Sequence, residues 1–164
     1  MVSLIIAFAA VILLTGADQL IKLWAIDSLQ NQPSREFIHF GDTKIIDLTY
    51  LENRGALFGS FSGMRWLLVI VTALMMVVCV YFMFREKHKP TVLLCLTLIV
   101  SGGLGNIIDR LFRGGAVVDY LEVKLFDFAI FNFADCCVTI GTAILLIYVL
   151  FFEKSEKTEK AKNG

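Results

Sequence analysis

Long apolar runs separated by short polar segments dominate the chain, and they predict four helices that could each cross a lipid bilayer. A spanning helix needs roughly 20 mostly apolar residues, and four stretches qualify: 4–26, 66–84, 91–108 and 128–152. Over short runs, periodicity does not separate a buried helix of a soluble protein from a lipid-facing helix. These runs, however, hold 85 of the 164 residues, which leaves too little polar surface to cover them in water.

The composition supports a membrane protein and excludes two other classes. Hydrophobic residues make up 57% and charged residues 18% of the chain, against about 25% charged in an ordinary soluble domain. Disordered chains are polar and highly charged, and a net charge of zero offers no basic excess for nucleic-acid binding. We therefore expect an all-α integral membrane protein that forms a single membrane domain over residues 1–164.

The distribution of Lys and Arg predicts the orientation, because cytoplasmic loops carry an excess of these residues. The link 85–90 and the tail 153–164 hold seven of them in 18 residues, whereas the loops 27–65 and 109–127 hold seven in 58. We expect both termini in the cytoplasm and the two larger loops outside it.

The first outer loop has the partial alternation of a small β-structure. Apolar residues recur through 37–50, and Gly41-Asp42 marks a turn. A hairpin or curved sheet at the membrane surface is expected there. In the second outer loop, residues 116–118 lead as an extended segment into Asp119.

Only three charged residues fall inside the predicted spans: Asp18, Lys22 and Asp135. Charges in hydrocarbon are expensive, so each is a functional candidate by default. Asp18 and Lys22 are four residues apart on one helix face and can neutralise each other, which favours a structural or positioning role. Asp135 is predicted about two turns into the fourth span, roughly 10 Å from Phe128. Its partner must come from another segment or from water, since the fourth span contains no basic residue.

A polar cluster lies at the carboxyl-terminal end of the third span, where Asn106, Asp109 and Arg110 share a helix face. The small residues of 101–105 just before it would let another helix approach closely. Two interpretations stay open. Either Arg110 extends to the interface with Asp109 as its partner, or the cluster orients a nearby carboxylate.

Asp119 is the natural second carboxylate, sixteen residues before Asp135. Two close carboxylates do not easily both ionise, so the pair can share one proton. One then acts as a base toward water and the other as an acid toward the scissile group, which is the chemistry of aspartic proteases. Glu122 and Asp127 compete for the same role in the same loop.

Metal chemistry is not expected. The four cysteines, which all fall inside predicted spans, lack the CxxC spacing, and the two histidines lie far apart at positions 39 and 88. A zinc site would need such ligands close together. We therefore expect no metal and no cofactor, and cysteines that serve as small apolar packing residues.

Five segments, in order along almost the whole chain, resemble the lipoprotein signal peptidase family (signal peptidase II), the bacterial inner-membrane aspartic proteases. They are 18–22 (DQLIK), 52–59 (ENRGALFG), 102–110 (GGLGNIIDR), 117–120 (VVDY) and 131–135 (FNFAD). The resemblance implies a four-helix membrane core with a small extracytoplasmic β-cradle. It also implies a catalytic dyad of Asp119 and Asp135, with Asp18 and Lys22 as a structural pair. The residues that would line or support the site are Asn53, Gly55, Asn106, Arg110, Asn132 and Ala134.

The resemblance further implies a substrate and a location. The substrates would be prolipoproteins that carry a diacylglyceryl group on the lipobox cysteine, cut on the amino side of that cysteine. The site would lie on the extracytoplasmic side of a multi-pass protein of the bacterial cytoplasmic membrane, in contact with membrane lipid. Globomycin-like cyclic peptides would inhibit it. The segment 121–130 has its own sequence and leaves the details of substrate contact open.

Two other classes remain as alternatives. A small proton- or ion-coupled transporter could use Asp18, Lys22 and Asp135 as a relay, but the chain shows no paired repeats or broken helices of the kind found in many transporters. A non-enzymatic scaffold could use the polar residues only to hold helices together. That interpretation leaves Asp119, outside the spans, unexplained.

Overall fold

The computed structural model describes residues 2–55, 61 and 63–153. Its four long helices confirm the four predicted apolar runs: α1 (Val2–Leu29), α2 (Arg65–Arg85), α3 (Pro90–Phe112) and α4 (Phe133–Ile147), which continues as a π-helical stretch over Tyr148–Glu153. All four are long and apolar enough to cross a membrane. Residues 56–59 of the second quoted segment and the tail from 154 lie outside the described residues.

Helix α3 is the centre of the bundle and packs against α1, α2 and α4. Its small residues make the close approach possible, as predicted. A Cβ at Gly102 would overlap the Ala134 carbonyl oxygen, and one at Gly103 would lie 3.1 Å from the Met76 sulfur. Such small-residue contacts let helix backbones pack closely within a bilayer.

Gly105 of α3 faces the Asp18 carboxylate, and a Cβ there would overlap Asp18 Oδ2. We therefore expect Gly105→Ala to lower the free energy of unfolding by about 1–3 kcal/mol, the usual cost of overpacking. The matched control is Gly16→Ala on α1, where no atom lies within 4 Å of the added Cβ. Thermal unfolding in detergent would measure both, and equal melting temperatures for the two variants would contradict the expectation.

The outer loops form one antiparallel sheet in the order β1 (Arg35–Phe40), β2 (Thr43–Asn53) and β3 (Val117–Val123). The hairpin predicted around Gly41-Asp42 is confirmed, and Gly41 has the positive φ of +57° that glycine adopts at little cost. The extended segment predicted before Asp119 is the third strand. Asn53 pairs with Val117, so the end of β2 lies beside the start of β3.

A small apolar cluster fixes β3 against α1. Ala25 and Leu29 of α1 pack with Val118 and Tyr120 of β3, and all four are buried. Because side chains alternate along a strand, Asp119 projects from the opposite face to its two neighbours. The packing of β3 thereby determines where the Asp119 carboxylate lies.

The fourth helix starts later than the sequence pattern predicts. Residues 128–132 are not helical, and Phe131 instead forms a bridge with Leu121. Asn132 is the N-cap: its side chain accepts from the Asp135 N–H, and the Asp135 side chain accepts from the Asn132 N–H. This capping box places Asp135 in the first turn, so its predicted position two turns into the helix is wrong. Apolar content continues through 128–131, and hydropathy alone does not detect the cap.

Candidate active site

Asp119 of β3 and Asp135 of α4 are brought together by Asn132. The Asn132 side-chain nitrogen donates to Asp119 Oδ1 at 2.6 Å, and its backbone N–H donates to Asp135 Oδ2 at 3.1 Å. Asn132 is fully buried, and Asp119 is 1% exposed. One residue therefore holds both carboxylates, and its position as a helix cap explains why it is so well fixed.

Two further side-chain amides donate to the carboxylates. Asn53 Nδ2 donates to Asp119 Oδ2 at 3.0 Å, and Asn106 Nδ2 donates to Asp135 Oδ1 at 2.8 Å. Each carboxylate thus has both oxygens bound by N–H groups that carry no charge. Such donors hold the orientation of a carboxylate without neutralising it as an ammonium or guanidinium would.

The environment of Asp119 favours its protonated form. The pKa of Asp119 is raised from its ordinary value of 3.8 to about 7, chiefly by burial and next by the nearby charge of Asp135. Hydrogen bonds from Asn53 and Asn132 oppose this rise of the pKa in part. Near neutral pH the pair therefore holds one proton in a large fraction of molecules, as two coupled carboxyl groups do.

Behind Asn106 lies a buried ionic cluster centred on Lys22. Lys22 Nζ lies 2.9 Å from Asp18 Oδ2, 3.1 Å from Asp109 Oδ2 and 3.0 Å from Asn106 Oδ1. An ammonium has three donors, and all three are used. The predicted pairing of Asp18 with Lys22 is confirmed, with Asp109 as a second anionic partner.

Lys22 acts on the carboxyl pair through Asn106. Because the Asn106 carbonyl oxygen accepts from Lys22 Nζ and, at 3.2 Å, from Asn132 Nδ2, the amide nitrogen must face the other way. That nitrogen is the donor to Asp135. Of the two interpretations left open for the cluster at the end of α3, the structure agrees with the one in which it orients a carboxylate, through Asn106.

The alternative pairing of Arg110 with Asp109 is wrong. Arg110 is buried rather than extended into the interface, and its Nη2 donates to the Gly55 carbonyl oxygen at 3.0 Å. Helix α3 runs to Phe112, past the predicted end at 108, so Asp109 turns toward α1 and β3. Its oxygens accept from four other groups: Lys22 Nζ, Gln19 Nε2, Arg113 Nε and the Val118 N–H.

A cavity of about 560 Å³ opens between α2, α3 and α4 in front of the carboxyl pair. Both aspartates form part of its lining, together with Asn53, Asn106 and Arg110. Most of the remaining wall is apolar, contributed by side chains of the three helices and the 128–131 segment. The result is an apolar trough between membrane helices with its polar groups gathered at one end.

Three of the six residues expected to line or support the site lie behind this cavity. Gly55 bridges Asn53 and Arg110, because its N–H donates to Asn53 Oδ1 and its carbonyl accepts from Arg110. Ala134 is fully buried, and its N–H donates to Asp18 Oδ1 at 3.1 Å. Asn132 caps α4 as described. These three residues therefore hold other groups of the site in position but do not form the wall of the cavity.

Glu122 and Asp127, the two carboxylates that compete with Asp119 for the catalytic role, lie outside the active-site cavity. Glu122 accepts from Lys124 Nζ at 2.8 Å and from Thr49 Oγ1 at 2.5 Å, and these hydrogen bonds lower the pKa of Glu122. Together with Asp127, it lines a separate cavity formed by residues 122–128. Asp119 is therefore the loop carboxylate that reaches Asp135.

Two residues of the site were not recognised from the sequence. The Tyr120 hydroxyl accepts from the Phe133 N–H at 3.2 Å and so ties β3 to the start of α4. Gln19 Nε2 lies within 3.2 Å of an oxygen of Asp18 and of Asp109. Both lie inside segments that carried the resemblance, so membership of those segments was the available signal.

The four cysteines are free thiols, as their predicted packing role requires. Cys79, Cys95 and Cys137 are buried, whereas Cys136 is half-buried and forms part of the wall of the active-site cavity. Cys136 therefore borders the active-site cavity.

Sequence comparisons match the chain to a known family and to known relatives. The family model described as signal peptidase (SPase) II matches residues 10–151. A lipoprotein signal peptidase of Clostridioides difficile strain 630 is 41% identical over 147 residues, covering 90% of this chain and 96% of that protein. One from Streptococcus agalactiae strain A909 is 45% identical over 139 residues, covering 83% and 86%.

Solved structures show the same fold. A bacterial membrane enzyme determined by the in meso method at 1.9 Å resolution has a TM-score of 0.78 and 28% identity, and the match covers 89% of this chain and 93% of that one. A second such structure at 2.3 Å has a TM-score of 0.77 and 29% identity, covering 88% and 87%. With its family model matched over most of its length, the chain belongs to the signal peptidase II family.

Proposed function

We propose that this chain removes the signal peptide from prolipoproteins that carry a diacylglyceryl group on the lipobox cysteine, by cutting on the amino side of that cysteine. The observation that carries the proposal is the pairing of Asp119 with Asp135 at the polar end of an apolar cavity between membrane helices. A lipidated peptide must keep its lipid and its signal helix in the bilayer, and this cavity offers both apolar walls and hydrolytic groups.

The two carboxyl groups divide the chemistry according to their surroundings. Asp119, whose pKa is raised to about 7, holds the proton, and Asp135 is the carboxylate base. Asp135 takes a proton from a water as its oxygen attacks the scissile carbonyl carbon, and Asp119 donates to the carbonyl oxygen. When the C–N bond breaks, the proton on Asp135 goes to the leaving nitrogen, and Asp119 recovers its own from the intermediate.

Arg110 is the best placed donor for a substrate carbonyl. Its Nε is buried and has no hydrogen-bond partner among the described residues, and the side chain lines the cavity. A fixed donor aimed at a developing oxyanion lowers the barrier to hydrolysis. We therefore expect the Arg110 guanidinium, which lines the cavity, to donate to a carbonyl of the bound substrate.

The carboxyl pair lies at the extracytoplasmic face in the orientation that we propose. The sheet of the two larger loops sits at the same end of the bundle as the pair. The link after α2 is rich in basic residues, which favours the cytoplasm for the opposite end. Both termini are then cytoplasmic, in a multi-pass protein of the bacterial cytoplasmic membrane.

The alternatives have less support. The relatives reported above are peptidases, so the transporter receives no support from them. A scaffold would not need Asp119 and Asp135 bound through one shared residue at the wall of a cavity. The peptidase uses both aspartates, and Lys22 then orients one of them rather than relaying ions.

The proposal can be tested with purified protein and two matched prolipoproteins, one with the diacylglyceryl group and one without. We expect cleavage of the lipidated substrate only, and we expect globomycin to inhibit it, since that cyclic peptide would occupy the same cavity. Equal cleavage of both substrates would overturn the lipid requirement. No cleavage of either under any lipid condition would overturn the function.

The pKa of Asp119 gives a pH dependence. Because the group must be protonated to act as the acid, we expect kcat to fall as the pH rises above about 7. The raised pKa also means that the folded chain binds this proton more tightly than the unfolded chain. Its contribution to stability is thus present at low pH and is lost as the pH rises from 3.8 to about 7.

A rate profile from pH 5 to 9 and melting temperatures over the same range would check both trends. Asp119→Asn serves as the control for stability, since its melting temperature should change less over this range than that of the unaltered protein. A kcat that keeps rising through pH 9 would contradict the assignment of Asp119 as the acid.

A further inference from the structure

Two threonines line the active-site cavity about one helical turn deeper in the bundle than the carboxyl pair. Thr139 follows Asp135 by four residues in α4, so it lies on the same helix face and about 6 Å farther from the sheet. Thr72 of α2 lies at a similar level, because its Cγ2 would be 3.5 Å from a Cβ at Gly103. Gly103 precedes Asn106 by one turn of α3.

Neither of these hydroxyls has a hydrogen-bond partner within the part of the chain that the structure describes. Other threonines of the bundle are paired. Thr97 donates to the Leu93 carbonyl oxygen of its own helix at 2.7 Å. Thr15 donates to the Ser101 carbonyl oxygen at 3.2 Å. Each of the two cavity hydroxyls is therefore available to a bound molecule, both as a donor and as an acceptor.

A signal peptide bound in this cavity brings backbone carbonyls that need donors. The scissile carbonyl has to accept a proton from Asp119, so the signal helix must end before the cut. The last four carbonyls of a helix lack partners within it. An unsatisfied carbonyl is costly in an apolar environment, and threonine side chains are one means by which membrane proteins satisfy backbone groups released from a helix.

The depth of the two threonines indicates which carbonyl they meet. An extended chain advances about 3.3 Å per residue, so about 6 Å corresponds to two residues. The signal peptide precedes the cut and therefore extends from the carboxyl pair toward the middle of the bundle. The scissile carbonyl belongs to the last residue before the cut, and the carbonyl two residues earlier belongs to the third residue before it.

We propose that the hydroxyls of Thr139 and Thr72 bind the unwound backbone of the signal peptide at the third residue before the cut, and so position the scissile bond at the carboxyl pair. This inference rests on the proposed function and deepens it. Arg110 does not fill this role, because it follows Asn106 by one turn of α3 and lies on the other side of the carboxyl pair from the threonines.

Cleavage of the diacylglyceryl prolipoprotein by Thr139→Val and by Thr72→Val tests the proposal. Valine keeps the shape of threonine and lacks the hydroxyl, so we expect kcat/KM to fall about tenfold, the effect of one hydrogen bond, at an unchanged melting temperature. The matched control is Thr142→Val, since Thr142 is exposed on α4 and does not line the cavity. Thr139→Ser retains the hydroxyl and should recover most of the lost kcat/KM.

A substrate with an ester in place of the amide that joins the third and second residues before the cut identifies the group that is bound. An ester carbonyl is a weaker acceptor and the N–H is gone. We expect the unaltered protein to cleave this substrate about tenfold more slowly than the amide, whereas Thr139→Val should cleave the two at nearly equal rates.

Losses from Thr139→Val and from the ester that simply multiply would overturn the proposal. So would equal cleavage of the amide substrate by the two cavity variants and by Thr142→Val. The failure of the proposed function has a different result, because the unaltered protein would then cleave neither substrate, and this inference would fall with it.

Discussion

Replacing Asp135 or Asp119 by asparagine is expected to abolish cleavage while the chain still folds and inserts in the membrane. General acid–base groups contribute about 10²–10⁴-fold each, and an amide can neither take a proton from water nor donate one as an acid. Asparagine keeps the size of the side chain, so the packing around Asn132 is retained. Its amide group would leave one neighbouring donor unpaired, at a cost of about 1–3 kcal/mol.

The matched controls for this loss are Glu122→Gln and Asp127→Asn, which change the two other carboxylates of the same loop. Both line the separate cavity, and we expect activity close to that of the unaltered protein. The variants would be compared as the sole copy in cells, with the processed lipoprotein band as the readout and membrane extraction as the check on folding. A processed band with either dyad variant would disprove the dyad, and loss of the band with a control would indicate the wrong carboxylate.

The second largest effect is expected from Lys22→Met. Asp18 and Asp109 are both buried and would lose their shared cation, and breaking a buried ion pair costs about 3–5 kcal/mol. The same change releases the Asn106 carbonyl, so its amide no longer has a fixed direction toward Asp135. We therefore expect a large drop in melting temperature together with loss of cleavage.

Two further variants separate the structural effect from the positioning effect. Lys44→Met removes a lysine from a half-exposed pair with Glu36, and we expect a change of only about 0–1 kcal/mol, as for surface pairs. Lys22→Met combined with Asp18→Asn also removes the negative charge of Asp18, whereas Asp109 keeps its ion pair with Arg113 at 3.1 Å. That double variant should regain much of the melting temperature but little of the activity. Recovery of both would show that Lys22 is only structural.

Much of the fold could be predicted from simple patterns. Four apolar runs of sufficient length predicted the helices, and a Gly-Asp turn between alternating segments predicted the β1–β2 hairpin. The start of α4 could not be predicted in this way. Asn132 ends an apolar stretch that hydropathy treats as one continuous span, and its capping role becomes evident only when the hydrogen bonds with Asp135 are known.

Of the site, the two carboxylates could be predicted from the sequence, but not every contact around them. Asp119 and Asp135 were identifiable because a carboxylate is expensive in or near a membrane, and the family resemblance then selected Asp119 over Glu122 and Asp127. The pairing of Asp109 with Lys22 was not predictable. Helical spacing places Arg110 beside it, whereas the fold brings Lys22 from another helix, and a long-range pairing of this kind leaves no periodic signal in the sequence.

The polar cluster and the cavity together suggest why the site tolerates so many buried charges. Asp18, Lys22 and Asp109 hold α1 to α3, and Asn106 connects them to Asp135. The ionic part is thereby kept behind the cavity wall. The cavity itself presents neutral amides, the carboxyl pair and one guanidinium to the substrate.

The central claim, that Asp119 and Asp135 hydrolyse the bond before the lipidated cysteine, is tested most directly by the products of a single turnover. Purified protein in lipid bilayers would be mixed with a diacylglyceryl prolipoprotein and a chelator, and the products weighed by mass spectrometry. We expect a mature chain that begins at the lipidated cysteine, a released signal peptide, and neither product with Asp119→Asn or Asp135→Asn. A cut elsewhere, or the same products from either variant, would contradict the claim.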